Sequence, residues 1–269
     1  MYWQKRFDSE NPNKDIEEKI NTIFSEHNGR YGYRRITATL RDCGMVINQK
    51  KVRRIMKKLG LICVAFSHKS RKYNSYRGTI GTIADNKIKR RFKTSIPHQK
   101  ITTDTSEFKI YTTDNDGNLK IKKLYLDPFL DMFNGEVLSF SISDRPNFKS
   151  INYALEEAIN ITNDCPFRRT FHSDQGWAYQ MNLYTKKLNN HKIFQSMSRK
   201  GTCLDNSPME NFFGIMKQEM YYGKIYKSFE ELKLAIEEYI YYYNNKRIKE
   251  KLKWRSPVNY RIEHESKIS

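Results

Sequence analysis

The chain has 269 residues, of which 38% are hydrophobic and 13% aromatic, enough for packed cores in about two domains, and this excludes a disordered chain. No run approaches the ~18 apolar residues of a membrane span, and the first thirty residues lack a signal-peptide core. Cys43, Cys63, Cys165 and Cys203 show no paired spacing, which argues against a zinc ribbon or disulfide framework and suits a reducing cytoplasm. The net charge is +19, and it is uneven: residues 1–100 hold 24 basic and 8 acidic residues, the rest 25 and 22. A basic first third joined to a nearly neutral remainder reads as a nucleic-acid-gripping module followed by something different, the alternative being a basic surface with no specific partner.

In chain order, residues 15–26 carry Ile16, Ile20, Ile23 and Phe24 at helical spacing with acids in the first turn. A glycine-punctuated turn leads to a second short helix around Arg34–Arg41, closed near Gly44. A third helix follows, with Asn48 as N-cap, Val52, Ile55, Met56 and Leu59 as buried stripe and Gly60 as stop. Its outer face is Lys50, Lys51, Arg53, Arg54, Lys57 and Lys58. Three short helices ending in a basic one meet the needs of a helix-turn-helix domain that lays its last helix in a major groove. Residues 65–97 interleave Lys and Arg with Tyr and Phe and read as a basic linker that touches DNA.

From residue 101 the period changes to two. "ITTDTSEFKIY" predicts one strand, a turn through Asp116-Gly117 leads into "LKIKKLYLDPFLD", and "EVLSFSIS" makes a third strand. A helix at 149–162, a strand "RRTFHS" ending at Asp174, a helix at 180–190, a strand "KIFQS" and a helix from Ser207-Pro208 complete a mixed sheet covered by helices. Ser228 and Glu231 open a long final helix as a capping box, Tyr239 and Tyr241–Tyr243 make an aromatic cluster, and "KLKWRSPVNYR" reads as a basic, loop-like tail.

Cleaving or joining DNA calls for metal ions, and magnesium calls for Asp and Glu carboxylates brought from separate elements. Asp104 lies within the first predicted strand, where Asp is disfavoured; Asp174 ends the fourth; Glu210 stands three residues after Ser207. Each has a plainer reading: a solvated strand face, a turn before Gly176, and a capping box with Ser207 and Pro208. Asp127, Asp131, Asp144 and Asp205 compete, and pattern alone does not choose among them.

"ITTDTSEF", "LYLDPFLDMFNGEVLSFSIS", "FHSDQGWAYQ" and "QSMSRKGTCLDNSPMENFFGIMK" together resemble the catalytic core of OrfB-type insertion-sequence transposases, members of the DDE and retroviral-integrase superfamily. "HNGRYGYRRITATL", "KKVRRIMKKLGL" and "YYYNNKRIKEKLKWRSPVNYR" resemble the flanking regions of the same proteins, so the likeness spans about residues 15–261. It departs at Ile101, near where the family commonly has a Trp.

The resemblance implies an α/β protein with an RNase H-like mixed-sheet catalytic core at 98–220. An N-terminal helix-turn-helix DNA-binding region (1–64) and the linker (65–97) precede that core, and a helical C-terminal extension (221–269) follows it. It maps the catalytic and metal-holding acids onto Asp104, Asp174 and Glu210, the last two separated by 35 residues. Two Mg2+ ions are implied, with Mn2+ as substitute, for strand cleavage and transfer of an insertion element. Lys217, seven residues along the Glu210 helix, is expected at a DNA phosphate, and His172 and Gln175 are expected to order the site or contact DNA. Implied partners are the element's terminal inverted repeats, target DNA, further copies of the chain and an upstream-frame segment; the implied location is the nucleoid in the cytoplasm. The alternatives are a non-catalytic DNA-binding regulator descended from a transposase and a hybrid-cleaving nuclease.

Overall fold

A computed structural model describes residues 11–64, 81–113 and 117–267, which fall in two compact units divided at His68/Lys69. The aromatic-basic stretch 65–80 and the turn residue Asp116 lie outside the described residues.

In the first unit, α1 (Lys14–Glu26) buries Ile20 and Ile23, and α2 (Tyr33–Asp42) buries Ile36 and Leu40. In α3 (Gln49–Lys58), Val52, Ile55 and Met56 are buried, and Asn48 Oδ1 caps the helix by accepting from Lys50 N at 2.8 Å. The apolar stripes of three short helices thus face one another, and the polar faces are left outside.

The second unit is built on one six-stranded sheet. β1 (Lys100–Thr103), β2 (Ser106–Thr113), β3 (Leu119–Asp131) and β4 (Val137–Ser143) form its antiparallel part; β5 (Thr170–Ser173) and β6 (Phe194–Met197) extend it in parallel from β1. One face carries α4 (Phe148–Ile161), α5 (Trp177–Gln180) and α6 (Asn182–Asn190) over Ile101, Phe129, Leu155, Phe171, Tyr184 and Leu188. Beyond these come α7 (Ser207–Met216), which lies against β1, a π-helical turn Lys217–Tyr221, and α8 (Phe229–Asn245), which lies against β3 and β4. This is an RNase H-like mixed sheet. Among the described residues no helix is long and apolar enough to cross a membrane.

Four expectations need correction. The strand predicted over 101–111 is two strands with a break at Asp104-Thr105. Both halves pair with β3 in one register, Thr103 opposite Phe129 and Ser106 opposite Leu126. Lys100 O accepts from Met132 N at 2.8 Å, so hydrogen-bonded pairs fall on even-numbered residues of β1. Asp104 therefore stands opposite Pro128, which has no N–H to give, and the ladder opens there.

The tail read as a loop contains α9 (Pro257–Glu265), whose N-cap Ser256 accepts from Asn259 N at 3.3 Å; Arg261 anchors it through two bonds to Glu136 at 2.8 and 3.1 Å. The Ser228–Glu231 box is formed in one half only: Ser228 is the N-cap and its Oγ accepts from Glu231 N as expected, while Glu231 Oε2 accepts from Lys227 N, one residue before the cap. Finally, the described part of the stretch read as linker runs along the core. Lys87 N donates to Ser196 Oγ on β6 at 2.9 Å, and Ile88 is buried.

Candidate active site

Asp104 sits in the strand break, at the C-terminal end of β1. Thr105 N donates to its Oδ1 at 2.8 Å, and the residue is 9% exposed. Asp174 follows directly on β5, the parallel neighbour of β1, so both carboxylates issue from the same edge of the sheet. Its Oδ1 accepts from Gly176 N at 2.8 Å, and a Cβ at Gly176 would lie 2.9 Å from that oxygen, so a side chain there would press on the acid.

Glu210 lies on the exposed side of the first turns of α7. The capping box predicted for it is not formed. Asn206 is the N-cap and makes no side-chain cap bond, so Ser207 is the first helical residue and Glu210 falls one place too late to close a box. The side chain of Asn206 instead joins α7 to β1: Oδ1 accepts from Thr102 Oγ1 at 2.5 Å and Nδ2 donates to Thr103 O at 3.1 Å. That link sets the start of the Glu210 helix against the strand that ends in Asp104.

The acids share one electrostatic field. Burial pushes the Asp104 carboxyl well above the usual range, and the neighbouring charges of Asp174, Asp127 and Glu210 push it further. Among the described residues no three side chains of His, Cys, Asp or Glu already stand as a metal-ligand cluster. The donor set nonetheless fits a hard divalent cation: three carboxylates from three elements, with mutual repulsion that such a cation would relieve.

The competing acids have other work. Asp127 is 2% exposed, accepts from Thr105 Oγ1 at 2.5 Å and Ser141 Oγ at 3.4 Å, and burial raises it to about 6. Asp131, likewise raised by burial to about 6, caps a turn by accepting from Phe133 N and His98 N. Asp205 is enclosed by Arg199, Arg90 and Asn86, and the bonds from Arg199 hold it far below the usual range. Asp144 is exposed, 4.0 Å from Arg145.

Lys217 is turned inward. Its Nζ donates to Glu107 O on β2 at 3.0 Å and lies 4.7 Å from the centre of the Phe108 ring; burial lowers its proton affinity, opposed by Glu107 and Asp104. It thus brings an ammonium to the Asp104 side of the sheet instead of presenting one to solvent. His172 is fully buried and so is not presented to DNA. Its Nε2 donates to Asp205 O at 2.8 Å, which makes Nδ1 the acceptor from Ser196 Oγ at 2.9 Å. Gln175 Nε2 donates to Ser198 O at 2.9 Å, joining the loop after Asp174 to the end of β6.

Sequence reasoning missed Asn206 and Tyr179. The ring of Tyr179 is buried, its hydroxyl lies 3.5 Å from Thr103 Oγ1, and burial followed by the charges of Asp127, Asp104 and Asp174 keeps that hydroxyl protonated. Neither residue has a local pattern that marks it, because each acts across the sheet.

On the first unit, Lys50, Arg53, Arg54, Lys57 and Lys58 are exposed on α3 and Lys51 is half-buried. Lys58 is shared with Glu17 at 2.7 Å, and the Arg53 guanidinium lies 5.8 Å from the Tyr33 ring centre.

A mixed sheet of this order, with two acids at one edge and a third on the helix beside it, is an integrase-type core. Comparison with known proteins agrees. Integrase core domain models match residues 94–203 and 210–264, and an HTH-like domain model matches residues 10–69. The InsK protein of insertion sequence element IS150 from Escherichia coli is 43% identical over 92% of this chain and 83% of its own length. A transposase-like protein of Haemophilus influenzae is 47% identical over 81% of this chain and 94% of its own, and the transposase of insertion sequence element IS904 from Lactococcus lactis is 30% identical over 91% and 92%. The chain belongs to the insertion-sequence transposases, DNA polynucleotidyl transferases of the DDE superfamily.

Proposed function

We propose that Asp104, Asp174 and Glu210 are the catalytic acids of this transposase and hold divalent magnesium, or manganese in its place. The observation that carries this reading is that one sheet edge gathers Asp104 and Asp174 from adjacent parallel strands, with α7 and its Glu210 pinned to β1 through Asn206. Bound there, a pair of magnesium ions would supply an activated oxygen nucleophile and neutralise the leaving oxygen.

The chain's own residues prepare that chemistry. Thr105 N and Gly176 N fix one oxygen each of Asp104 and Asp174, so two of the three carboxylates are oriented in advance. Lys217, anchored to β2, adds a fixed positive charge on the side where phosphate would lie. Water attacks phosphorus at an element end, a P–O bond breaks and a 3′-hydroxyl is freed. In the second step that hydroxyl attacks a target phosphodiester, one P–O bond forming as another breaks, with no protein–DNA covalent bond.

The α3 face would grip the terminal inverted repeats. Joining two ends to a target calls for more than one copy of the chain on DNA, with an upstream-frame segment as a further partner. This work belongs on the nucleoid, in the cytoplasm.

The test is strand joining in Mg2+ with Asp104→Asn, Asp174→Asn and Glu210→Gln. Each is expected to lower joining at least a thousandfold while leaving DNA binding and thermal stability in place. Joining retained by any one of them would remove that residue from the set. A wild-type chain that binds ends but never cuts them would mark a regulator.

A further inference from the structure

β2 and β3 continue past the sheet as a two-stranded ribbon. Among the described residues no strand pairs the outer edge of β2; that edge is closed instead from the π turn. Lys217 Nζ takes Glu107 O, and Tyr221 Oη both accepts from Lys109 N at 2.9 Å and donates to Lys109 O at 2.8 Å. Ile110 is still fully buried; beyond it the ribbon is exposed, with Tyr111 opposite Ile121 and Thr113 opposite Leu119.

Its side chains are unusual for a solvated hairpin. On one face Lys109 stands directly opposite Lys123, a like-charge pair that costs stability unless a counter-charge is present. Lys123 has one in Glu107, at 3.0 Å. Next along that face come Tyr111 and Ile121, each 49% exposed. The opposite face carries Lys122, across from Ile110, and Lys120, across from Thr112, both exposed. Cations therefore project from both faces of an element two strands wide, with an exposed aromatic ring between them.

We infer that this ribbon enters the major groove of the duplex that the enzyme processes, its lysines on one face meeting the phosphates of one groove wall and those on the other face the opposite wall. A major groove, about 12 Å across, admits a two-stranded ribbon, and cations on both faces suit a groove where a flat surface would engage only one. The charge argues against a second copy of the ribbon as the occupant, since two such lysine sets would repel. Ribbon and acids also share one strand: Lys109 and Thr112 lie roughly 17 and 27 Å beyond Asp104 at about 3.4 Å per residue. The DNA held would be the half turn to one turn flanking the reacting phosphodiester, an assignment that rests on the acid site proposed above.

The test uses the full chain carrying Glu210→Gln, so that binding is read without cleavage, and adds Lys109→Gln, Lys120→Gln and Lys122→Gln together. Equilibrium binding to duplex with element ends is measured across salt, with dimethyl sulfate protection of guanine N7 as the groove readout and circular dichroism as the fold control. Loss of three phosphate contacts should flatten the slope of log K against log salt by about 2.7, at about 0.9 per contact. N7 protection flanking the cut should disappear, and affinity should fall tenfold or more. A natively folded triple variant with unchanged slope and unchanged protection would overturn the inference. So would a Tyr111→Glu/Ile121→Glu chain that sediments as a smaller species with its salt slope intact, because the ribbon would then join copies of the chain. Failure of the acid assignment would show separately, as joining that survives Glu210→Gln in an otherwise native chain.

Discussion

Asp127 and Asp104 stand close in the fold, and burial raises both carboxyls, but Asp104 also feels the charges of Asp174 and Glu210. Asp127 is behind the strand break, bonded to Thr105 and Ser141, and burial lifts it to about 6. A carboxyl raised in the folded state binds its proton more tightly than in the unfolded chain. Its stabilising effect is therefore complete below the ordinary carboxylate range, near pH 4, and is lost as pH rises through about 6. Asp131 has the same sign and the same window. Stability should thus fall between pH 4 and 7, by up to about 3 kcal/mol for each group, since each tenfold change in proton affinity is worth about 1.36 kcal/mol. Asp127→Asn should flatten that profile in urea titrations and keep strand joining within about tenfold; a profile as steep as wild type would show that the acid is solvated. This separates Asp127 from Asp104, which sequence pattern could not do. The motif resemblance picks out Asp104 by position, yet why Asp104 is presented at all depends on Pro128 on another strand, twenty-four residues along the chain.

Among the elements, the π turn after α7 is held by a buried ion pair with no sequence signature. Glu219 accepts from Arg247 through three bonds of 2.6 to 3.0 Å and from Tyr239 Oη at 2.9 Å; both charged side chains are almost wholly buried. Desolvation opposes the Arg247 charge, and the bonds to Glu219 outweigh it. The pair ties the turn that carries Lys217 and Tyr221, and so closes the edge of β2, to the end of α8. Arg247→Leu leaves Glu219 buried without its counter-ion and should cost about 3–5 kcal/mol in urea unfolding. The double change Glu219→Gln/Arg247→Met should recover at least half of that, and a double variant no better than the single one would mean that packing, not charge, is the source. Legibility at this scale followed locality. Helices with their own caps, such as the one behind Asn48, could be placed from the chain alone. The tail helix α9 was misread even though Ser256-Pro257 repeats the Ser-Pro start of α7, because its short apolar pattern is completed only by Glu136 and the turn it packs on. The course of residues 81–97 depends on Ser196 and Asp205, more than a hundred residues away, and nothing local announces it.

For the molecule as a whole, the α3 face and the candidate acids lie in different compact units. Residues 1–68 carry a net charge of +7 and residues 69–269 a net charge of +12, so charge alone does not divide the units, but α3 presents its cations on a face opposite Val52, Ile55 and Met56. The acids lie in the other unit, at and beside one end of its sheet. Changes on the two units should therefore fail in different ways. Arg53→Gln/Arg54→Gln/Lys57→Gln removes three exposed cations and no core contact, so thermal stability should hold within about 0.5 kcal/mol per site. Its binding to element ends should weaken tenfold or more at physiological salt, with a salt slope lower by up to about 2.7, at about 0.9 per phosphate lost. At saturating DNA the joining rate should stay within a few-fold of wild type. Glu210→Gln should do the reverse, binding ends normally and joining them at no concentration. If the α3 variant lost rate at saturation with affinity unchanged, the helical unit would have to act on the step itself, and the division of labour between a gripping unit and a cutting unit would be wrong for this transposase.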